Sequence, residues 1–134
     1  MISSSEYEPK NMDVRAQIED AMSDLRRLAD IVAVAVARRD GLIIAHDLPR
    51  GVDPKKVAAM SAAIVGTSEM ASREFGQGHF QQSIVDSKFG KMVSTGAGDE
   101  ALLVTLVRPD ANMGLILLSV ERAAHRIQEI LSHR

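Results

Sequence analysis

Two apolar runs separated by a short polar turn constrain the fold of this chain more than any other feature. Residues 31–37 and 41–45 are apolar segments of strand length. The junction, residues 38–41, ends in Asp-Gly, which is typical of a β-hairpin because both residue types tolerate positive φ. A third apolar run covers residues 101–107. Strands that are apolar on both faces must be covered on both faces, so we predict a sheet between two layers of helices.

Helical periodicity marks the two ends of the chain. A first helix is predicted from Asn11, on a stripe of apolar residues at three- and four-residue spacing: Val14, Ile18, Ala21, Met22, Leu25 and Leu28. A last amphipathic helix is predicted from Met113 onward, with Asp110 as its cap. Each stripe covers one side of its helix only, so both helices should lie on the sheet with their other side in solvent.

A central helix is predicted between the hairpin and the later strands. Asp53 is a favourable N-cap, and Pro54 suits the first helical position, where its missing N–H needs no partner. The pattern continues to about Phe75, after which Gly76 and Gly78 should end the helix.

The whole pattern predicts one α/β domain. Residues 80–87 and 89–95 are more polar strands, expected nearer an edge of the sheet. The order is then α-β-β-α-β-β-β-α, a three-layer sandwich whose five-stranded, mainly antiparallel sheet carries one helix on one face and two on the other. We expect residues 1–10 to be a flexible leader and residues 11–134 to be a single domain.

The two sides of the central helix differ in an unusual way. At 100° per residue, one side is predicted to pack on the sheet; it carries Val57, Met60, Ile64, Ala71 and Phe75. Nearly opposite lie small or flexible residues: Ala59, Ala62, Ala63, Gly66 and Met70. No charged residue occurs among residues 57–68. An outer helix face is normally charged, so this one is expected to be covered.

A second copy of the chain is the partner that this face favours. Small residues let two helix backbones approach closely, and a short chain most simply supplies the second helix through a two-fold axis. Gly66 supports the prediction, because an exposed glycine within a helix destabilises it by about 1 kcal/mol unless something packs there. The plainer alternative is that the alanines serve helix propensity alone. A rim for docking a further partner is predicted at Lys55, Lys56, Glu69 and Arg73.

Four segments, in this order, resemble those of the Roadblock/dynein light chain family, including its bacterial and archaeal members. They are the hairpin at residues 34–45, the alanine-rich central helix, residues 96–104, and residues 111–118 leading into the last helix. The resemblance covers residues 12–132, nearly the whole chain. It implies a Roadblock-like, profilin-like fold and a homodimer or heterodimer whose sheets join edge to edge and whose central helices pair.

The same resemblance implies a function. Members of the family regulate or scaffold Ras-like small GTPases or act as adaptors in motor and signalling complexes. Some prokaryotic members resemble GTPase-activating proteins that reshape the GTPase without donating a catalytic residue. The family has no shared catalytic motif, so no catalytic residue is assigned here and the chain is expected not to be an enzyme.

Composition argues against several other classes. The net charge of −2 gives no support for nucleic-acid binding, which needs a strong cationic field. Cysteine is absent, which removes disulfides, thiol nucleophiles and thiolate metal sites. The longest apolar runs are far shorter than the ~20 residues that span a bilayer, and the polar N-terminus is unlike a signal peptide. We therefore expect a cytoplasmic protein without membrane insertion.

Cofactor and metal chemistry finds little support in the residues. Residues 96–101 match G-x-G-x-x-A, but a dinucleotide fingerprint must open a helix, and here a strand is predicted to follow. Four histidines, none in a metal-binding spacing, are interpreted as surface or structural residues: His46, His79, His125 and His133. No cofactor and no metal are expected.

Three further interpretations stay open. Arg38 or Arg39 could act as an arginine finger, although a basic turn also keeps a hairpin soluble. A small-molecule-sensing α/β domain is the main alternative to the regulator. A hydrolytic enzyme is the third, and the sequence offers no assembled catalytic set for it.

Overall fold

A computed structural model describes residues 13–133. The predicted leader, residues 1–10, and the predicted helix start at Asn11 lie outside the described residues. The elements are α1 (Val14–Leu25), β1 (Ile31–Arg38), β2 (Ile43–Asp47), α2 (Pro54–Glu74), β3 (Ser83–Ser87), β4 (Gly90–Ala97), β5 (Ala101–Val107) and α3 (Met113–Ser132). The predicted element order is confirmed, with β3 shorter than expected at its start and β4 longer at its end.

The five strands form one antiparallel sheet in the order β2-β1-β5-β4-β3. The long apolar strands β1 and β5 are neighbours near the centre, where both faces are covered. The polar strand β3 is an edge strand, as predicted, and β4 lies beside it. β2 forms the other edge, and it is less buried than β1.

Helices cover the two faces unequally, which confirms the three-layer sandwich. α1 and α3 pack side by side on one face, where Ile18, Ile116 and Ile127 are fully buried against β1 and β5. α2 lies alone on the other face, where Val57 packs in a smaller cluster with Ala35 and Val104. The single helix on one face and the pair on the other follow from the apolar runs of the central strands.

The helix starts follow local capping rules, with one correction. Asp53 caps α2 by accepting a hydrogen bond from the Lys55 N–H at 2.9 Å. The predicted cap of α3, Asp110, is wrong. Asn112 takes that place, because its side-chain oxygen accepts from the Leu115 N–H at 3.3 Å. The position next to the first helical residue can reach the free N–H groups, whereas Asp110 is two residues too early.

The Asp-Gly turn closes the β1–β2 hairpin with only one residue at positive φ. The Gly41 N–H donates to the Arg38 carbonyl at 3.0 Å, and Gly41 has φ +90°. Gly41 also lies against α2, since a Cβ built there would be 3.4 Å from the Cα of Ala59 and 3.9 Å from the Cβ of Ala62. The glycine therefore serves the turn and the close approach of helix and hairpin together.

The prediction of which side of α2 meets the sheet is wrong in part. The buried residues of α2 are Val57, Ala58, Ser61 and Val65. Ile64 is half-buried and Ala71 is exposed, while Met60 is 55% exposed and Phe75, just beyond the helix, is 73% exposed. The helical wheel gave Val57 and Phe75 the same direction, but the sheet is not wide enough to lie under both.

The path of α2 across the strands explains this. Ala35, Val104, Ser94 and Ser83 are register partners and form one row across β1, β5, β4 and β3. Val57 packs on the first two, and the Ser68 hydroxyl lies 2.8 Å from that of Ser83. From Val57 to Ser68 the helix rises ~16 Å, while the strands it passes span ~10–14 Å. Therefore α2 runs mainly across the strands, reaches the edge at Ser68, and continues beyond it.

Candidate protein-protein interaction site

The outer face of α2 is the candidate site that the sequence predicted. The structure leaves Ala59, Ala63 and Met70 exposed, and it half-buries Ala62 and Gly66. A Cβ added at Gly66 would meet nothing within 4 Å. Packing in the described part of the chain therefore gives no reason for a glycine in the middle of this helix, where alanine would favour helix formation by about 1 kcal/mol.

Two of the five residues have a reason within the chain. Ala59 and Ala62 lie beside the turn at Gly41, so their small size serves the packing of α2 against the hairpin. The others in this set face away from that contact or stay exposed. Packing within the chain therefore explains the small size of Ala59 and Ala62 but does not explain the glycine at position 66.

The predicted rim contains three exposed cations and one paired carboxylate. Lys55, Lys56 and Arg73 are exposed. Glu69 instead accepts a hydrogen bond at 2.6 Å from Nη1 of Arg39, in a pair that is about two-thirds buried on each side. This carboxylate connects α2 to the hairpin, a contact between residues thirty positions apart that no local pattern predicts.

The two hairpin arginines are both engaged in the structure. Arg39 also donates through Nη2 to the Gly98 carbonyl at 2.8 Å, and it lies so close to Gly96 that a Cβ there would be 2.5 Å from Nη2. Arg38 pairs with Asp40 at 2.5 Å. Arg39 thus joins both hairpins to α2, whereas Arg38 is exposed and paired within its own turn.

A second surface on the same face of the sheet was missed by the sequence reasoning. It is an apolar hollow of about 640 Å³, with Val85, Met92 and Leu106 on strands β3, β4 and β5, and with Val32 and Phe89 beside them. We call this hollow the trough. Phe89 is 83% exposed at the tip of the β3–β4 hairpin. A phenylalanine in a tight polar turn is the sequence signal that could have identified it.

A third hollow, of about 540 Å³, lies across the sheet near the ends of α1 and α3. Val14, Ile18, Ile44 and Leu131 give it an apolar lining, and Arg15 and Glu100 are among the polar residues at its margin. This arrangement resembles the general form of a small-ligand site, which is apolar with a few polar groups.

Residues considered for metal or cofactor chemistry lie apart. All four histidines are exposed, and Nε2 of His125 lies 3.1 Å from Glu129 on the next turn. Among residues 13–133 no group of three or more potential ligands is close enough to hold a metal ion. The glycine motif at residues 96–101 leads into β5 and so connects two strands instead of opening a helix. No described helix is both long and apolar enough to cross a bilayer.

Fold and surface together define a small three-layer α/β domain with exposed apolar helix and sheet faces. The Roadblock/LC7 domain model matches residues 17–107. The chain belongs to the Roadblock/LC7 family, as the four sequence segments indicated.

Relatives and solved structures agree with this assignment. The uncharacterized protein MJ0714 of Methanocaldococcus jannaschii is 35% identical over 115 residues, covering 86% of this chain and 97% of the relative. The gliding protein MglB of Thermus thermophilus superposes with a TM-score of 0.83 at 18% identity, over 92% of this chain and 94% of that one. MglB of Myxococcus xanthus gives 0.82 at 17% identity, over 90% and 92%. At these identities the two structures establish the fold.

Proposed function

We propose that this chain is a cytoplasmic, non-enzymatic homodimer that binds and regulates, or scaffolds, a Ras-like small GTPase. One observation carries the dimer: the outer face of α2 has no charge over residues 57–68 and contains Gly66, where an added Cβ would meet nothing within 4 Å among the described residues. A two-fold axis would bring this face of Ala59, Ala62, Ala63, Gly66 and Met70 against its counterpart.

Membership of the Roadblock/LC7 family supports the GTPase as partner, and the surface suggests how it would be regulated. A rigid dimer changes a GTPase only if it binds one arrangement of the switch loops more tightly than another. Lys55, Lys56 and Arg73 are exposed along α2 and could contact the acidic surface of a partner. Regulation would then follow from differential affinity, with no residue inserted into the nucleotide site.

Light scattering tests the dimer directly. We expect a mass of twice the 14.5 kDa chain at micromolar concentration. A mass of 14.5 kDa under these conditions would contradict the homodimer while leaving GTPase binding to be measured separately.

Affinity capture from a lysate of the source organism tests the partner, with GDP in one arm and a non-hydrolysable GTP analogue in the other. Preferential recovery of a small GTPase in one arm supports a regulator, and its hydrolysis rate is then measured with and without the protein. Equal recovery supports a scaffold. The double variant Lys55→Glu/Lys56→Glu should lower recovery, whereas Arg27→Glu, an exposed change at the end of α1 on the other face, should not. Failure to recover any GTPase in either arm would contradict the proposal.

A small-molecule sensor is the second candidate, favoured by the 540 Å³ hollow near α1 and α3. A ligand bound there would raise the melting temperature once its concentration exceeds its Kd. Screening nucleotides and metabolites by thermal shift, with Ile44→Asp as the control for this site, separates the two functions. A flat response in every arm would leave the regulator as the better proposal.

A further inference from the structure

The hollow of about 540 Å³ lies where the start of α1, the end of α3 and the β1–β2 hairpin meet, and we call it the hairpin hollow. Its apolar lining comes from three elements: Val14 and Ile18 of α1, Leu131 of α3 and Ile44 of β2. Ile18 and Leu131 are 0% and 6% exposed and belong to the larger core. The hollow therefore reaches down to core side chains, and its volume lies in the usual range of small-ligand sites, about 300–1,000 Å³.

Ion pairs hold together the two helices that form its walls. Arg126 of α3 donates to Asp24 and Asp20 of α1 at 2.7 and 2.8 Å. Arg126 and Asp20 lie within about two helical turns of the apolar residues that line the hollow. The walls are therefore fixed before any ligand arrives, which lowers the entropic cost of binding.

The margin of the hairpin hollow carries more positive than negative charge. Arg15, Arg38 and Arg39 line it together with Asp40 and Glu100, so three cations face two carboxylates. The side chains of Arg15 and Arg38 are more than half exposed, and each binds a nearby carboxylate through a single nitrogen. Because a guanidinium carries several N–H donors, both arginines keep donors for an anion.

Arg39 adds a donor that has no acceptor. Its Nη1 and Nη2 donate to Glu69 and to the Gly98 carbonyl, whereas its Nε is buried and has no partner among the described residues. Buried polar groups are nearly always paired. A ligand oxygen at this end of the hairpin hollow would satisfy the Nε donor and remove the cost of leaving it unpaired.

Charge and lining together select one class of ligand. Three cations and two carboxylates give the margin a net charge of 3 − 2 = +1, which matches a single carboxylate, while Asp40 and Glu100 would repel a dianion. None of the described residues that line the hollow is aromatic, so a nucleobase would have no side chain on which to stack. An aliphatic chain suits this apolar lining better.

We propose that the hairpin hollow binds an aliphatic monocarboxylate, with its chain against the apolar lining and its carboxylate at Arg15 and Arg38. A planar carboxylate suits these groups, because a guanidinium can bind it through two parallel hydrogen bonds. The inference rests on the second candidate function, the small-molecule sensor, and names the chemical class of its ligand. It does not depend on the homodimer, since the outer face of α2 lies across the sheet from α1 and α3.

Calorimetric titration of the full chain with sodium octanoate tests the proposal. We expect saturable binding of one octanoate per chain with a Kd of roughly 1 mM or tighter. Hexanoate should bind about fifteenfold more weakly, because each buried CH₂ group contributes about fourfold in affinity. Octan-1-ol has the same chain without the charge, and it should bind about tenfold more weakly than octanoate.

Matched variants locate the site. Arg38→Gln removes a charge at the margin and should weaken octanoate binding about tenfold. Arg27→Gln removes an exposed charge at the end of α1, outside the lining, and should leave binding unchanged. Ile44→Asp places a carboxylate in the apolar lining and should abolish binding. Ile44 is half-buried, so urea unfolding checks that this variant folds, and the exposed change Arg38→Gln keeps the test decisive if it does not.

The outcomes separate this inference from the proposals beneath it. The absence of saturable octanoate binding overturns it, and so does equal affinity for octanoate and octan-1-ol, or for the Arg38→Gln and Arg27→Gln variants. A different metabolite whose thermal shift is lost in Ile44→Asp would keep the sensor function and contradict only the ligand class. A monomeric mass or a failed GTPase capture would contradict the first proposed function and leave the octanoate result standing.

Discussion

The two faces of the sheet differ in how completely helices cover them and in the size of the core beneath. On the face covered by α1 and α3, buried aliphatic side chains from both helices and the strands make the larger core. On the other face, α2 buries only four of its residues. The hydroxyls of Ser61 on α2 and Ser94 beneath it have no hydrogen-bond partner among the described residues, whereas on the two-helix face this holds for Thr105 alone. The trough then leaves part of that face open.

This difference indicates that the two faces contribute differently to the domain. The face with two helices supplies the stability of the single chain, since buried apolar area is the main favourable contribution to folding. The face with one helix is poorer in core and richer in exposed apolar surface, which is the usual mark of an interaction surface. Substitutions on the two faces should therefore change different measured quantities.

The largest expected effect lies in the two-helix core. Ile127 is fully buried on α3, so Ile127→Ala should lower the free energy of unfolding by about 3 kcal/mol, as removal of a buried side chain and the resulting cavity usually do. Urea unfolding at one fixed protein concentration measures it. The control Leu118→Ala, on the exposed side of the same helix, should change it by less than about 1 kcal/mol. Equal losses for the two variants would contradict the difference between the faces.

The next effect concerns association instead of folding. Gly66→Leu should weaken the proposed dimer about tenfold or more, because a bulky side chain separates two closely packed helices. The chain itself should become slightly more stable, since no described residue lies within 4 Å of the new Cβ and leucine favours a helix by about 0.8 kcal/mol over glycine. Light scattering over a dilution series gives the first quantity and urea unfolding the second.

Gly66→Ala is the matched control for that prediction. It adds the same helix propensity with little bulk, so its dissociation constant should lie between those of the unmodified chain and Gly66→Leu. A dimer of unchanged affinity in Gly66→Leu would show that this side of α2 is not at the interface.

The sequence predicted local features well, but it predicted poorly how the length of α2 compares with the width of the sheet beneath it. The Asp-Gly hairpin, the Asp53 cap and the apolar runs follow from interactions within a few residues, and the structure confirms them. Met60 and Phe75 were placed on the sheet because a helical wheel gives direction but not the number of strands beneath a helix. That number depends on the strand order, which is a property of the whole fold.

The candidate site shows the same limit. Exposure of Ala59, Ala63 and Met70 agrees with the periodicity, whereas the pairing of Glu69 with Arg39 spans thirty positions and depends on how α2 meets the hairpin. The trough is assembled from three strands and a turn, each of which looks ordinary alone.

A smaller effect is expected for the main ion pairs of the two faces, whose coupling energies can be compared. Arg39 bridges Glu69 and Gly98 with its side chain mostly buried, and a double-mutant cycle of Arg39→Met and Glu69→Gln should give a coupling of about 1 kcal/mol. On the other face Arg126 of α3 holds Asp24 and Asp20 of α1 at 2.7 and 2.8 Å but is more exposed. Its coupling should be about 0.5 kcal/mol and should fall further in high salt. Equal coupling energies for Arg39 and Arg126 would contradict this difference between the two faces.

The pH dependence of the Arg126 contact has a definite sign. The pKa of Arg126 is raised, chiefly by the hydrogen bond to Asp24. Burial is the next largest effect and lowers it, and the hydrogen bond to Asp20 and the nearby negative charges raise it further. A group whose pKa rises on folding stabilises the fold below its unfolded pKa and loses that contribution only as the pH rises through the folded value. Changes within the neutral range should therefore leave this contribution of Arg126 intact, which unfolding at several neutral pH values can check.

The smallest effect tests the polar contacts beneath α2. Ser61 is fully buried and its hydroxyl has no partner among the described residues, so Ser61→Ala should raise the free energy of unfolding by about 0.5–1 kcal/mol by removing an unpaired polar group. Ser68, two turns later, shares a hydrogen bond with Ser83, and Ser68→Ala should instead lower it by about 1 kcal/mol. Urea unfolding of the two variants side by side gives opposite signs if the one-helix face is as incompletely paired as its geometry indicates. A loss in both would mean that Ser61 is satisfied, and that the open character of this face belongs to the trough alone.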